Sequence, residues 1–254
     1  MSTPRFYSEE LDPGLIRLDQ SESRHALQSL RLQPGDEVIL IDGRGRLAHG
    51  ILQAEDVADD QRKTRRRGTP RSRLAHVAVE HVLCEPPPER TLTLIVAACK
   101  GPRLTWMVEK LTELGTTRIT ITHFERSVVR VGEVHARKLR RTAIEAAKQA
   151  QRVWLPEIAS EITLQAALVD LPPGPLLVAH PRDDAPALST RLAGHGTRHA
   201  HCTAVVGPEG GLTDAELALL ANGHGELVRL SSTILRVETA ALSVAANWAA
   251  SAAF

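Results

Sequence analysis

Nothing in this sequence approaches the eighteen or so consecutive apolar residues that a membrane-spanning helix needs. The opening residues, MSTPRFYSEE, lack the basic-then-apolar layout of a secretory signal. Cysteine is scarce: Cys84, Cys99 and Cys202 are odd in number and without metal-type spacing, which argues against a disulfide framework and against a metal centre. Reduced thiols in a cytoplasm are expected, each buried as a small hydrophobe. No G-x-G-x-x-G follows a strand and no Walker lysine is present, so the usual dinucleotide and nucleotide loops are excluded. Internal repeats are absent. Excess charge is nearly absent too, at +1 over 254 residues, and so does not announce a nucleic-acid binder. With 43% hydrophobic and 24% charged residues, the composition is that of a soluble globular chain, long enough for one large domain or two modest ones.

The distribution of charge says more than its sum. Arg62, Lys63, Arg65, Arg66, Arg67, Arg71 and Arg73 fall together with no acid among them, and Arg137, Lys138, Arg140 and Arg141 form a second basic group in a helical segment. The first run reads either as a solvated loop or as a mobile arm that neutralises RNA phosphates. Around it, the first eighty-odd residues read as strands. Glu37–Ile41 is a β-branched run closed by the turn Asp42-Gly43, residues 47–52 can return, and residues 74–83 form a further strand. Glu85-Pro-Pro-Pro-Glu89 then interrupts regular structure as a linker. The expected division is 1–84, a linker at 85–90, and 91–254, with the basic insertion at about 59–73.

Past the linker, strand and helix alternate. Residues 91–98, 118–122, 176–179 and 202–206 are short strands of buried type. Pro102 suits a first helical turn, and Leu104, Met107, Val108, Leu111 and Leu114 recur at helical spacing up to Gly115. Residues 135–152 read as another helix. Repeated βα units imply a mostly parallel sheet, an α/β class.

Two loops carry the chemistry. Gly207-Pro208-Glu209-Gly210-Gly211 precedes a capping box, Thr213-Asp214-Ala215-Glu216, so a helix starts there. Three glycines in five residues cost more backbone entropy than a plain turn requires, and close approach of the backbone to something explains them better. The second loop, Leu230 to Arg236, offers hydroxyls that can cap a helix and then Ile234 and Leu235, which can wall an apolar slot. Arg236 is a guanidinium suited to phosphate or a uracil carbonyl. Glu238 sits near a helix N-terminus, where a carboxylate is favourable for purely structural reasons as well.

GPEGGLTDAE followed by ILRVETA resembles the RsmE family of 16S ribosomal RNA methyltransferases, members of the knotted SPOUT superfamily. The likeness continues in Lys100-Gly101, Trp106, Lys110 and Glu113-Leu114-Gly115, in Arg126-Ser127, in Glu145-Ala146, Gln149, Arg152 and Pro156, and in His180-Pro181. Near the N-terminus, Arg5-Phe6, His25, Leu30-Arg31 and Gly35-Asp36 are similar to the family's small PUA-like β-barrel, so the likeness runs from about Pro4 to Trp248. Two positions depart from the family pattern. Ser231 stands where the family has glycine, and Thr233 where a basic residue is common.

The resemblance implies S-adenosylmethionine-dependent methylation of a uridine at N3, near the decoding centre of 16S RNA, without a metal. It implies a C-terminal trefoil-knot domain behind a PUA-like barrel, and a homodimer acting on 16S RNA or the assembled small subunit. The cofactor is then expected against Ala179, His180, Gly207, Gly210, Gly211, Leu230, Ser231, Ile234 and Leu235. Arg236 and Glu238, with Glu209 as a second base, become the candidate catalytic residues. Arg5, Arg24, Arg31, Arg65, Arg66, Arg126 and Arg152 become candidate RNA contacts. Two rivals stand beside it. A knotted ribose 2′-O methyltransferase lacks support because its N-x-G…R and S-L-N markers are missing. A non-catalytic RNA-binding protein leaves GPEGG and ILRVET without a purpose.

Overall fold

The computed structural model describes residues 3–54, 74–129, 133–169, 171–195 and 200–251. The basic run from Arg62 to Arg73, with Arg65 and Arg66, therefore lies outside the described residues. No helix among the described residues is long and apolar enough to cross a membrane. The chain forms two compact units, residues 1–87 with 151–154, and residues 88–150 with 155–254.

The first unit is built on a five-stranded sheet of β1 (Arg5–Tyr7), β2 (Gly14–Arg17), β3 (Glu37–Ile41), β4 (Arg46–Ala54) and β5 (Ala75–Cys84), in the order β1-β3-β4-β5-β2. The Asp42-Gly43 turn expected from sequence joins β3 to β4: Asp42 Oδ1 accepts the N–H of Arg44 at 2.7 Å and of Arg46 at 3.0 Å. Alternation in β3 and β4 puts Val38, Leu40 and Leu52 in a core with Phe6, Leu11, Leu18 and Val77. The edge strands β1 and β2, three and four residues long, are too short to show a period. Asp19 caps α1 (Gln20–Arg24) by accepting Glu22 N–H at 2.7 Å. The chain then widens into one turn of π-helix, His25–Ser29, and passes Arg31 in a left-handed conformation.

Residues 151–154 join this first unit. Gly45 donates to the Val153 carbonyl at 3.3 Å, and the Trp154 indole N–H donates to Pro86 O at 3.0 Å. A Cβ on Gly45 would lie 2.4 Å from the Trp154 ring, so only glycine lets the indole lie there.

The second unit carries a six-stranded sheet, parallel throughout. It comprises β6 (Thr91–Ala97), β7 (Arg118–His123), β8 (Glu157–Thr163), β9 (Leu176–Ala179), β10 (His201–Val206) and β11 (Glu226–Val228), ordered β11-β9-β10-β6-β7-β8. Helices α2 (Pro102–Glu113), α3 (Glu133–Gln149), α4 (Leu164–Ala167), α5 (Leu188–His195), α6 (Asp214–Asn222) and α7 (Val237–Ala250) connect and follow the strands. The expected stripe on α2 is the buried one: Leu104, Met107, Val108 and Leu111 pack with Leu94, Ile95, Val96 and Val205 of the central strands. The capping box of α6 forms in full, with Thr213 and Glu216 serving each other's backbone N–H.

Two sequence expectations are corrected here. The helix read as 135–152 ends at Gln149, because Gln151 turns left-handed at φ 57°, which takes Arg152 off the helix. Burial was expected for all three cysteines, yet Cys84, last residue of β5, is exposed. Cys99 and Cys202 are buried; desolvation pushes both thiols up to about 12, with Glu238 and Glu209 adding to the shift at Cys99.

At the start of β10, His201 is buried with both ring nitrogens engaged, Nδ1 with Thr91 Oγ1 at 2.7 Å and Nε2 with Thr203 Oγ1 at 3.0 Å. Burial, and then the Arg118 guanidinium, hold its pKa below the ordinary 6.5. Its stabilising contribution is therefore fully present above pH 6.5, the unfolded value, and is lost as pH falls through the lower folded value. Thermal unfolding at about pH 7.5 and about pH 5 should show a larger fall in midpoint for the native protein than for His201→Gln. Equal falls in the two proteins would refute this.

Candidate active site

Three neighbouring strands, β11, β9 and β10, end side by side, and the loops that leave them enclose a cleft of about 460 Å³. Ligands in parallel α/β sheets are received at this carboxyl edge. The end of β9 and the loop after it contribute Ala179, His180 and Pro181, the end of β10 and its loop contribute Val206, Gly207, Pro208, Glu209, Gly211 and Leu212, and the chain after β11 contributes Arg229 to Ser231 and Thr233 to Val237. Ala240, one turn into α7, and Arg126, from the loop after β7, complete it.

Of the nine residues expected at a cofactor, Ala179, His180, Gly207, Gly211, Leu230, Ser231, Ile234 and Leu235 line this one cleft, and Gly210 does not. The reason for the glycines also changes. A Cβ on Gly207 would lie 2.8 Å from Leu212 Cδ2, and one on Gly210 would lie 3.2 Å from Arg126 Cβ. The close approach that the sequence demanded is thus to the protein's own side chains. Ile234, expected to wall an apolar slot, stands at the lip with 90% of its surface exposed.

Ser231 and Thr233, the two departures from the family pattern, engage each other: their hydroxyls lie 3.1 Å apart, and Ser231 Oγ accepts Thr233 N–H at 3.2 Å. A short polar turn thereby holds the loop that glycine would leave freer.

Cations dominate the mouth, with Arg126, Arg229 and Arg236 lining the cleft against Glu209, the one carboxylate among the described lining residues. Arg229 approaches Asp183 at 3.6 Å. His180 Nδ1 accepts the backbone N–H of Arg182 at 3.3 Å, which requires an unprotonated Nδ1. Burial lowers the pKa of this imidazole, Arg182 lowers it further, and Asp184 partly opposes them, so the neutral ring is favoured.

Glu238 departs from its expected place. It is 5% exposed and does not line the cleft, and its Oε1 accepts from Arg103 Nη1 of α2 at 3.3 Å. Helix phase is the cause. Val237 and Ala240 of α7 face the cleft, and the residue after Val237 is turned about 100° away. The Arg236–Glu238 pairing suggested by proximity in sequence is therefore split, with Arg236 at the cleft and Glu238 behind it.

The candidate RNA contacts also separate. Arg126 lines the cleft, where its Nη1 donates to Gly210 O at 3.0 Å. Arg24 and Arg31 are exposed on the first unit, flanking the π-helical turn. Arg5 has a buried Nη1, and Arg152 is largely withdrawn from solvent, which lowers its pKa by desolvation. Val206, Leu212, Arg229, Val237 and Ala240 line the cleft without having been offered as site residues by sequence. Arg229, directly after β11, had a signal in being the first polar residue past a strand end.

By the family it matches, this parallel sheet with a glycine-loop cleft at its carboxyl edge is of the RNA methyltransferase class. A family model for the RNA methyltransferase domain matches residues 86–249, and one for the RNA methyltransferase PUA domain matches residues 18–56. The chain is 33% identical to the ribosomal RNA small subunit methyltransferase E of Rickettsia conorii over 174 residues, covering 67% of this chain and 69% of that protein. It is 28% identical to the enzyme of that name from Synechocystis over 243 residues, covering 91% and 72%. A crystal structure of ribosomal RNA small subunit methyltransferase E from Neisseria gonorrhoeae bound to S-adenosyl methionine superposes with a TM-score of 0.76 at 28% identity, covering 96% of each chain. The fold is shared as well with a Legionella pneumophila methyltransferase, at a TM-score of 0.81 and 23% identity, over 98% of each chain. This chain belongs to the ribosomal RNA small subunit methyltransferase E family.

Proposed function

We propose that this protein transfers a methyl group from S-adenosylmethionine to N3 of a uridine in 16S ribosomal RNA, near the decoding centre. The observation that carries the reading is the convergence of eight of the nine expected cofactor residues on one cleft. Its volume of about 460 Å³, apolar walls and cationic mouth fit an adenosyl group with an RNA strand beyond it. The Neisseria relative, solved with S-adenosyl methionine bound, supports the same cofactor here. The trefoil threading, the homodimer and a cytoplasmic setting belong to the same reading.

When bound, S-adenosylmethionine supplies an electrophilic sulfonium methyl, so alignment with N3 provides much of the rate. The chain's own task is to take the N3 proton and to steady the charge that appears on O2 or O4. Glu209, the carboxylate among the described cleft-lining residues, is the favoured base, and Arg236, which also lines the cleft, is assigned to a uracil oxygen or a phosphate. Glu238 acts through Arg103 and the start of α7. Exposure supports Arg24 and Arg31 as RNA contacts of the first unit.

The test has two parts. Calorimetry should show one S-adenosylmethionine site, and ribosomal RNA from a deletion strain should lose one N3-methyluridine that the gene restores. Absence of binding heat removes the cofactor assignment. A restored methyl on a ribose 2′-oxygen, with no change at N3, removes the position assignment.

A further inference from the structure

The cleft's glycine loop is tied to the loop that follows β7. Glu216 makes one of the two ties. Its Oε2 accepts Thr213 N–H at 2.8 Å and lies 3.2 Å from Thr213 Oγ1, the ordinary work of a capping residue. Its Oε1 is committed elsewhere, accepting the backbone N–H of Glu125 at 2.8 Å, 91 residues away in sequence. Arg126, the next residue, makes the second tie by donating to Gly210 O at 3.0 Å. Gly210 has no Cβ where one would meet Arg126 Cβ at 3.2 Å. The loop after β7 is itself closed by Phe124 N–H to Ser127 Oγ and Ser127 N–H to Phe124 O, both at 3.0 Å. One carboxylate thus fixes the first turn of α6 and, through Glu125, the strand end that carries Arg126 to the cleft.

We infer that Glu216 is a positioning residue for methyl transfer, setting the geometry of the glycine loop against Arg126 in addition to capping α6. This rests on the cofactor reading of the cleft. A glutamine at this position has one acceptor where the carboxylate has two, so Glu216→Gln must leave either Thr213 N–H or Glu125 N–H facing an amide N–H.

Amide hydrogen exchange on the full-length protein without ligand, followed by calorimetry with S-adenosylmethionine, tests this. In Glu216→Gln, exchange should quicken together at residues 124–127 and 208–211, and cofactor affinity should fall about tenfold, the scale of one lost hydrogen bond to a charged group. Arg126→Ala should quicken exchange at the same two segments through the other tie, while leaving residues 213–217 protected. Exchange that quickens only at residues 213–217, with unaltered cofactor affinity, would overturn the inference and leave Glu216 as a cap alone. If the native protein itself binds no S-adenosylmethionine, the cofactor reading fails, and the exchange pattern still decides whether the two loops are tied.

Discussion

Gly207→Val is expected to abolish measurable binding of S-adenosylmethionine, weakening it by about a hundredfold or more. Gly207 is the first residue after β10, and the position of its absent Cβ already lies 2.8 Å from Leu212 Cδ2 and 3.0 Å from Leu212 Cγ. Leu212 is buried and lines the same cleft, so a side chain at Gly207 presses on a packed residue of the cleft wall. The two further methyls of valine then either displace Leu212 or occupy the cleft themselves. Calorimetry gives the affinity, and thermal unfolding shows that the variant is folded. A folded variant that binds within about threefold of the native protein would remove Gly207 from the ligand's wall. Gly210→Val acts differently, since its side chain is directed at Arg126 and strikes the tie between loops rather than the cleft.

Glu209→Gln should lower single-turnover methylation by about a hundredfold or more while leaving cofactor affinity nearly intact, the usual signature of a lost general base. Glu238→Gln, by contrast, should turn over within about threefold of the native rate, since its carboxylate is buried against Arg103 and the start of α7. Its cost should be about 1 kcal/mol of stability, the scale of a carboxylate at a helix N-terminus. Single-turnover assays with saturating cofactor, on variants shown to be folded, compare the two directly. A native rate for Glu209→Gln beside a hundredfold loss for Glu238→Gln would reverse the assignment and require Glu238 to reach the substrate.

Periodic elements were legible in the sequence because their neighbours share one requirement. The α2 stripe from Leu104 to Leu111 repeats the same burial demand on each turn, and Thr213 and Glu216 announce α6 through a local exchange of hydrogen bonds. The edge strands β1 and β2 are formed by their partners rather than by their own residues, and β8, EIASEIT, has only Ile158 and Ile162 as large apolar residues to mark it. At the site, the loops were legible and the directions of their side chains were not. Glu238 lies two residues from Arg236 in sequence, yet one step of helical rotation past Val237 removes it from the cleft. Gly210 signalled a close approach correctly, but the approaching group, Arg126, is 84 residues away, and no local pattern could name it. The tie from Glu125 to Glu216 is of the same kind.

Gln151 to Trp154 carry a consequence for dissecting the chain. The N-terminal unit draws its last four residues from beyond the whole length of α3, so its sequence is discontinuous. A recombinant fragment ending at Pro87 would lack the Val153 carbonyl that receives Gly45 N–H and the indole that fills the space beside Gly45. No single cut releases that unit whole. Its RNA affinity, measured on such a fragment, would belong to an incomplete fold, and a faithful excision needs the 151–154 segment supplied through a short designed connection or circular permutation.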